Sequence, residues 1–184
     1  MRASGASVRL LSLLWALVLC TASICVATAS ENLLVNPQFV GAPDSIPHGW
    51  VKYGGAAVFG ENLYFIPDED NADGWILVVD QVDRDTYHGL RTVDQPAEVG
   101  VEYKFSADVR VNGGQAYILL AFLDKGKAII DYTRVFTTNR EWFRLEAIGE
   151  APAGTKEVRL YLYTLKNAQG TYQYRNPKFE IVHY

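Results

Sequence analysis

Cysteine is absent from the chain beyond residue 29. Both cysteines, Cys20 and Cys25, lie in the segment 1–29, which has the features of a secretion signal: two arginines, an apolar run over 10–26 and a small-x-small end at Ala29. We therefore predict an exported domain at 30–184, periplasmic or extracellular, held together without disulfides. The apolar run is also long enough for a membrane anchor, which is the alternative for this segment. No membrane insertion is expected after cleavage.

A surplus of positive charge is also absent. The chain has 17 basic and 21 acidic residues, and two of the arginines, Arg2 and Arg9, belong to the predicted signal. The predicted domain thus keeps 15 basic and 21 acidic residues, a net charge of −6. An acidic domain is a poor partner for nucleic acid or an anionic membrane, so neither is expected.

No segment shows the long 3.6-residue period with caps that predicts a helix. Short alternating segments rich in Val, Ile, Tyr and Phe recur instead, separated by Gly, Pro, Asp and Asn. The predicted strands are 32–35, 50–53, 57–65, 75–81, 89–93, 101–111, 115–124, 128–136, 141–148, 156–164 and 171–182. This pattern predicts an all-β fold, a two-sheet antiparallel β-sandwich of the jelly-roll type.

Two of these segments show which side chains enter the core. In 101–111 the apolar residues from Tyr103 to Val111 occupy every second position, and polar residues occupy the others. In 158–163 the leucines and Val158 alternate with Arg159, Tyr161 and Tyr163. A period of two with one apolar face is typical of a sheet packed on one side and solvated on the other.

These segments resemble the galactose-binding-like jelly rolls, and more closely the carbohydrate-binding modules of families four, nine and twenty-two. The segments that carry the resemblance are 32–39, Gly49-Trp50, 103–109, 122–126, 142–154, 158–163 and 170–174. It covers nearly all of 30–184 and implies a domain that binds polysaccharide or another glycan without catalysis. It also implies that Trp50 and Trp142 pack inside the sandwich.

The family's structural calcium site is altered here. Where the family has a Glu in its opening motif this chain has Val40, and where it has an Asp pair in its closing strand this chain has Arg175 and Asn176. Asn176 and backbone carbonyls are the oxygen ligands that would remain, whereas hard cations favour carboxylates. The resemblance therefore leaves open both a structural calcium at Asn176 and its loss.

A sugar site can be assembled from the alternating strands. Pyranose rings stack on aromatic side chains, and their hydroxyls need bidentate polar partners. The predicted carbohydrate-binding residues are Tyr161, Tyr163, Arg159, Tyr117, Asp108, Arg110, Trp75 and Gln173. Two alternatives remain: binding at a loop rim, where Tyr53 and Tyr87 also lie, and tyrosines that only stabilise an exposed sheet as cross-strand pairs.

The acidic loop 68–74 has half of a calcium-loop pattern, with oxygen-bearing residues at alternate positions from Glu69 and then Gly74. Because 76–79 reads as a strand, we expect a solvated acidic turn instead.

Catalytic motifs are missing. The three histidines are scattered, there is neither an H-E-x-x-H nor a G-x-S-x-G, and nothing selects one carboxylate pair from the many acids. We therefore predict that the protein is not an enzyme, with a small glycoside-active enzyme as the less favoured alternative. A secreted protein-interaction or matrix module, with a protein partner and without sugar binding, is the other alternative, because no catalytic domain accompanies the predicted sandwich.

Overall fold

The computed structural model describes residues 31–55, 57–81, 85–166 and 168–183. The predicted signal at 1–29 and the predicted start of the domain at residue 30 lie outside these residues. None of the described residues belongs to a helix long and apolar enough to cross a membrane. The strands among them are β1 Trp50–Tyr53, β2 Leu63–Pro67, β3 Trp75–Gln81, β4 His88–Thr92, β5 Gln95–Pro96, β6 Glu102–Asn112, β7 Ala116–Leu123, β8 Ile129–Thr137, β9 Phe143–Glu150, β10 Glu157–Thr164 and β11 Gly170–Ile181.

The strands form two sheets, and all the pairings within them are antiparallel. The first sheet has the order β1-β4-β10-β7-β8, with β5 paired to the start of β10. The second sheet has the order β2-β3-β11-β6-β9. The predicted all-β, two-sheet sandwich is therefore confirmed.

The main core lies between the two sheets and is built by alternation. Tyr103, Phe105 and the following alternate residues of β6 are buried in it, as are Val158, Leu160 and Leu162 of β10. Both sets are those that the sequence pattern predicted. Removal of this apolar surface from water is the main term that stabilises the sandwich.

Two predicted strands are wrong. Residues 32–35 form no strand: they meet β11 through one backbone bond, from Leu33 N to Phe179 O at 2.7 Å, and through the side chain of Asn32, whose Oδ1 accepts from Phe179 N at 3.0 Å and whose Nδ2 donates to Pro177 O at 3.1 Å. The segment 57–65 is extended only from Leu63, because the carbonyl of Val58 accepts three backbone amides and closes a turn. The short strand β5 was not predicted, and the other predicted strands agree with the observed ones to within two residues.

Candidate functional site

Four tyrosines meet on the outer face of the first sheet. We call Tyr53, Tyr117, Tyr161 and Tyr163 the tyrosine cluster. Tyr163 is paired in register with Tyr117 of β7 on one side and with Gly89 of β4 on the other. The ring of Tyr53 lies 4.9 Å from that of Tyr161 and 5.7 Å from that of Tyr163, both edge to face. The rings of Tyr117 and Tyr163 are 5.6 Å apart.

Gly89 makes this cluster possible. Tyr53 and Tyr163 flank Gly89 in register, so their strands are two positions apart, about 9.6 Å at the usual strand spacing. Because Gly89 has no side chain, the two rings lean across it and approach to 5.7 Å. Edge-to-face aromatic pairs at this separation are favourable beyond the area that they bury.

The central tyrosines are buried, and in this respect the prediction of exposed stacking rings is wrong. Tyr117, Tyr161 and Tyr163 are between 4% and 6% exposed. They pack on each other and on Tyr53, Leu119 and Leu165 in a second, smaller apolar cluster. Burial raises the pKa of the Tyr163 hydroxyl. Their faces are therefore occupied by neighbours, which is what the cross-strand alternative predicted.

Exposed rings flank this buried floor on the same face. Tyr132 and Phe136 of β8 pair in register with Ala121 and Tyr117, and each is 53% exposed. The ring of Phe136 lies 5.4 Å from that of Tyr117. On the opposite flank Tyr87 lies 6.3 Å from Tyr163 and is exposed.

The sequence reasoning missed Tyr132, Arg134 and Phe136, although the signal was present. They occupy every second position of the predicted strand 128–136, which places them on one face. The guanidinium of Arg134 lies 5.5 Å from the ring centre of Tyr117, between the two exposed aromatics along β8. Aromatic rings and a cation thus share this flank of the face.

The other end of the face is polar and is organised by Asp94. Arg159 donates to both carboxylate oxygens of Asp94, from Nε at 2.5 Å and from Nη2 at 2.8 Å. Lys127 Nζ lies 3.3 Å from the same carboxylate, and Arg159 Nη1 also donates to the Tyr161 hydroxyl at 3.4 Å. The hydrogen bond from Arg159 holds the pKa of Asp94 below its usual value against the opposing effect of burial. Arg159 therefore lies beside the tyrosine cluster as predicted, fixed by an acid that was not predicted.

Three predicted partners of the tyrosines lie elsewhere. Asp108 and Arg110 are in β6 and Gln173 is in β11, both strands of the second sheet, whose outer face is on the opposite side of the sandwich. The prediction that they share a surface with Tyr161 and Tyr163 is wrong. Alternation along a strand shows which residues point outward, but it does not show which sheet the strand joins.

The three tryptophans named in the sequence analysis also differ in whether they lie where they were predicted. Trp50 is buried in the core beside Phe39, with its ring 5.0 Å away, as the resemblance implied. Trp75, one of the predicted carbohydrate-binding residues, starts β3 of the second sheet and packs partly against the main core, away from the tyrosine cluster. The prediction that Trp142 packs inside is wrong, because its ring lies against the guanidinium groups of Arg110 and Arg175, at 4.6 and 4.2 Å.

The residues present do not fit the calcium site of the resembled family. Arg175 Nη1 donates to Asp68 at 2.8 Å and to Asp70 at 2.6 Å, so a guanidinium occupies the position between these carboxylates and offsets one of their two charges. Asn176 donates from Nδ2 to Asp108 at 3.0 Å, and Val40 is 58% exposed and has no ligand group. In the described part of the chain no group of three or more His, Cys, Asp or Glu is arranged to hold a metal ion.

The same contacts show that the loop 68–74 differs from the predicted solvated acidic turn. Asp68 is only 4% exposed, so the expected solvated turn is wrong at this residue. Its backbone carbonyl and amide also close the loop, through hydrogen bonds with Asn71 and Gly74. The loop is therefore anchored to β11 through Arg175.

Comparison with solved structures identifies the fold. No protein-family model and no curated protein sequence matches the chain. Among solved structures, the CBM22-1 xylan-binding domain of Paenibacillus barcinonensis Xyn10C matches 86% of this chain and 99% of its own, with 13% identity and a TM-score of 0.56. Domains of carbohydrate-binding families 4, 11 and 61 match over 81–85% of this chain.

Enzymes appear in the same comparison. A cyclase from Fischerella sp. TAU matches 84% of this chain and 98% of its own, with 12% identity and a TM-score of 0.58. The enzymatically active domain of tailspike protein 4 from bacteriophage CBA120 has a TM-score of 0.62 and 11% identity over 82% of this chain, which spans only 21% of that protein. The resemblance seen in the sequence is thus confirmed at the level of architecture: the chain has the jelly-roll fold of the carbohydrate-binding modules.

Proposed function

We propose that the protein is an exported, non-catalytic domain that binds a polysaccharide chain across the outer face of the first sheet. The observation that carries this proposal is the arrangement of Tyr132, Phe136 and Tyr87. Their exposed rings flank the buried tyrosine cluster, and an ion-paired polar end closes the face. Exposed aromatic patches on soluble domains mark binding sites, and sugar rings stack on such side chains.

The buried tyrosines form the floor of this site and set its shape, while the exposed rings and polar groups contact the sugar. Arg134 on the β8 flank and Arg91 near the polar end supply hydrogen-bond donors for hydroxyls. The xylan-binding domain with the same fold supports a glycan as the ligand.

A non-catalytic role is favoured by the state of Asp94, one of the acids on this face. A glycoside hydrolase needs one carboxylic acid with a raised pKa to protonate the leaving group. Asp94 has a lowered pKa because Arg159 donates to it, and Lys127 and Arg91 also lie within 4.0 Å of its carboxylate. It is therefore a positioning group and a poor general acid.

The test is a binding panel of soluble glycans and insoluble polysaccharides with the purified protein, followed by Phe136→Ala. Loss of this exposed ring should weaken binding of the best glycan by about 1–3 kcal/mol. Phe143→Ala is the matched control, since Phe143 is similarly exposed but lies in β9 of the second sheet. Equal affinity of both variants and the parent protein would refute the site.

A protein-interaction role is the second candidate, and the edge strand of the first sheet favours it. β8 ends the sheet and exposes Ile129 and Ile130 at its start, while its middle contacts β9 through the hydrogen bond from Thr133 Oγ1 to Ile148 O at 2.9 Å. Such an edge can accept a strand from another protein. Under this alternative Ile130→Lys would abolish a stoichiometric complex with a protein from the native source, and no glycan would bind the parent protein.

A further inference from the structure

A separate cavity lies on the opposite side of the sandwich. It is a shallow space of about 330 Å³ on the outer face of the second sheet, lined by Arg110, Val111, Asn112, Arg140, Thr171 and Gln173. Gln173 and Thr171 of β11 pair in register with Arg110 and Asn112 of β6, which sets this polar row across two central strands. Arg140 comes from the loop between β8 and β9, whose Asn139 carbonyl accepts the amide of Val111 at 2.7 Å.

The cavity holds two positive charges without a negative one. Within the described part of the chain, neither Arg110 nor Arg140 forms an ion pair, and no carboxylate is among the residues that line the cavity. Four other arginines, Arg91, Arg144, Arg159 and Arg175, each contact an Asp. Arg110 also borders a neighbouring cavity that is lined by Asp68, Glu69 and Asp70. The cavity proposed here is lined by two guanidinium groups and no carboxylate, an arrangement that attracts an anion.

The cationic group of Arg110 is held in place before any ligand arrives. Its guanidinium lies 4.6 Å from the ring centre of Trp142, and its Nε donates to Oε1 of Gln173. Because Oε1 of Gln173 is used in this way, its amide group contributes donors to the cavity. With the remaining guanidinium donors, the Asn112 amide and the Thr171 hydroxyl, the site is rich in donors.

We propose that this cavity is a second ligand site, which binds the carboxylate or sulfate group of an acidic sugar. A planar guanidinium matches either anion with two parallel hydrogen bonds, and Asn112, Thr171 and Gln173 suit the neighbouring sugar hydroxyls. The choice of a sugar over an acidic peptide rests on the proposed function, since the same protein is then a glycan-binding domain. The two sites face opposite directions, so they contact different chains or different segments of one polymer.

The test measures affinity of the purified protein for trigalacturonate, its methyl ester and a sulfated galactotriose by calorimetry. At least one of the acidic probes should bind, and the uncharged ester should bind more weakly. The double variant Arg110→Gln and Arg140→Gln should bind the acidic probe about tenfold or more weakly, the loss expected when hydrogen bonds to a charged group are removed. Added salt should lower the affinity of the parent protein for the acidic probe, because the site is open to solvent.

Lys156→Gln removes one positive charge from an exposed position elsewhere and should leave this affinity unchanged. Arg140 is exposed, so Arg140→Gln alone keeps the test valid if Arg110→Gln lowers stability through its contact with Trp142. The inference is overturned if neither acidic probe binds, if the arginine variants bind as the parent does, or if hexaglutamate binds more tightly than both sugars.

The two proposals fail separately. Binding of an acidic probe that depends on Arg110 and Arg140 but not on Phe136 supports the second site even if no neutral glycan binds. A neutral glycan whose binding depends on Phe136, with no response to either acidic probe, supports the first site and overturns the second.

Discussion

The guanidinium of Arg175 donates to the carboxylate of Asp68 over 2.8 Å, and this pair connects the loop after β2 to β11. The two side chains are 13% and 2% exposed, so the pair is largely removed from solvent. The same guanidinium lies 4.2 Å from the ring centre of Trp142. The cation is thus fixed between an aromatic ring and a buried acid.

Arg175→Met should destabilise the protein by about 2–4 kcal/mol, because it leaves the Asp68 carboxylate buried without its partner. Arg140→Met is the matched control, since Arg140 is exposed and on the same side of the sandwich, and it should change the free energy of unfolding by less than about 0.5 kcal/mol. Urea denaturation measures both. Equal free energies of unfolding for the two variants would contradict the role assigned to the pair.

The same contact predicts that the fold is independent of calcium. Arg175 bridges Asp68 and Asp70, and Arg144 and the Asn176 amide both donate to Asp108, so cationic and donor groups already occupy the carboxylates near the positions that resemble the family site. The thermal midpoint should therefore be the same in excess EDTA and in millimolar calcium. A midpoint that rises with calcium concentration would show that a metal binds the folded state.

The alternation of polar and apolar residues along a strand predicts the direction of each side chain but not the sheet that the strand joins. It placed Tyr103 and Val109 in the core and Tyr161 and Tyr163 outside the main core correctly, because the direction of a side chain is a local property of a strand. It could not place Asp108 on the correct side of the sandwich, because strand order depends on contacts distant in sequence. Nor could it show that Tyr163 is covered, since the cover comes from Tyr53 across Gly89.

On the tyrosine-bearing face, burial distinguishes the residues that form the floor of the proposed site from those that would contact the glycan. Tyr163→Ala should cost about 3–5 kcal/mol of unfolding free energy, as for other large aromatic residues removed from a packed site. Tyr132→Ala makes the same substitution at a half-exposed position of the same face and should cost less than about 1 kcal/mol, while weakening glycan binding. Equal destabilisation by the two variants, measured in urea, would mean that the cluster is not packed as described.

Low pH should weaken the ion pair between Asp94 and Arg159 at the polar end of the tyrosine-bearing face. Arg159 lowers the pKa of Asp94, so near its ordinary pKa of 3.8 the folded protein binds fewer protons than the unfolded chain. The stabilisation from this group is therefore complete above about pH 4 to 5 and is lost as the pH falls through the lower folded-state pKa.

Asp94→Asn provides the measurement for this effect. The difference in unfolding free energy between the parent protein and this variant should be constant near neutral pH and should shrink below about pH 4. A difference that stays unchanged down to pH 2 would show that Asp94 is not coupled to Arg159.

Gly89 links the stability of the first sheet to the shape of its outer face. A Cβ atom at this position would lie 2.1 Å from the carbonyl oxygen of Leu162 and 2.7 Å from Cα of Tyr163, both parts of the neighbouring backbone. Gly89→Ala should therefore force β4 away from β10 and cost about 3 kcal/mol or more. Gly100→Ala is the control, because Gly100 also has a positive φ but no atom within 4 Å of the added Cβ, and it should cost about 1 kcal/mol. If the two variants unfold at the same urea concentration, the close approach at Gly89 does not limit the sheet, and the packing of Tyr53 on Tyr163 needs another explanation.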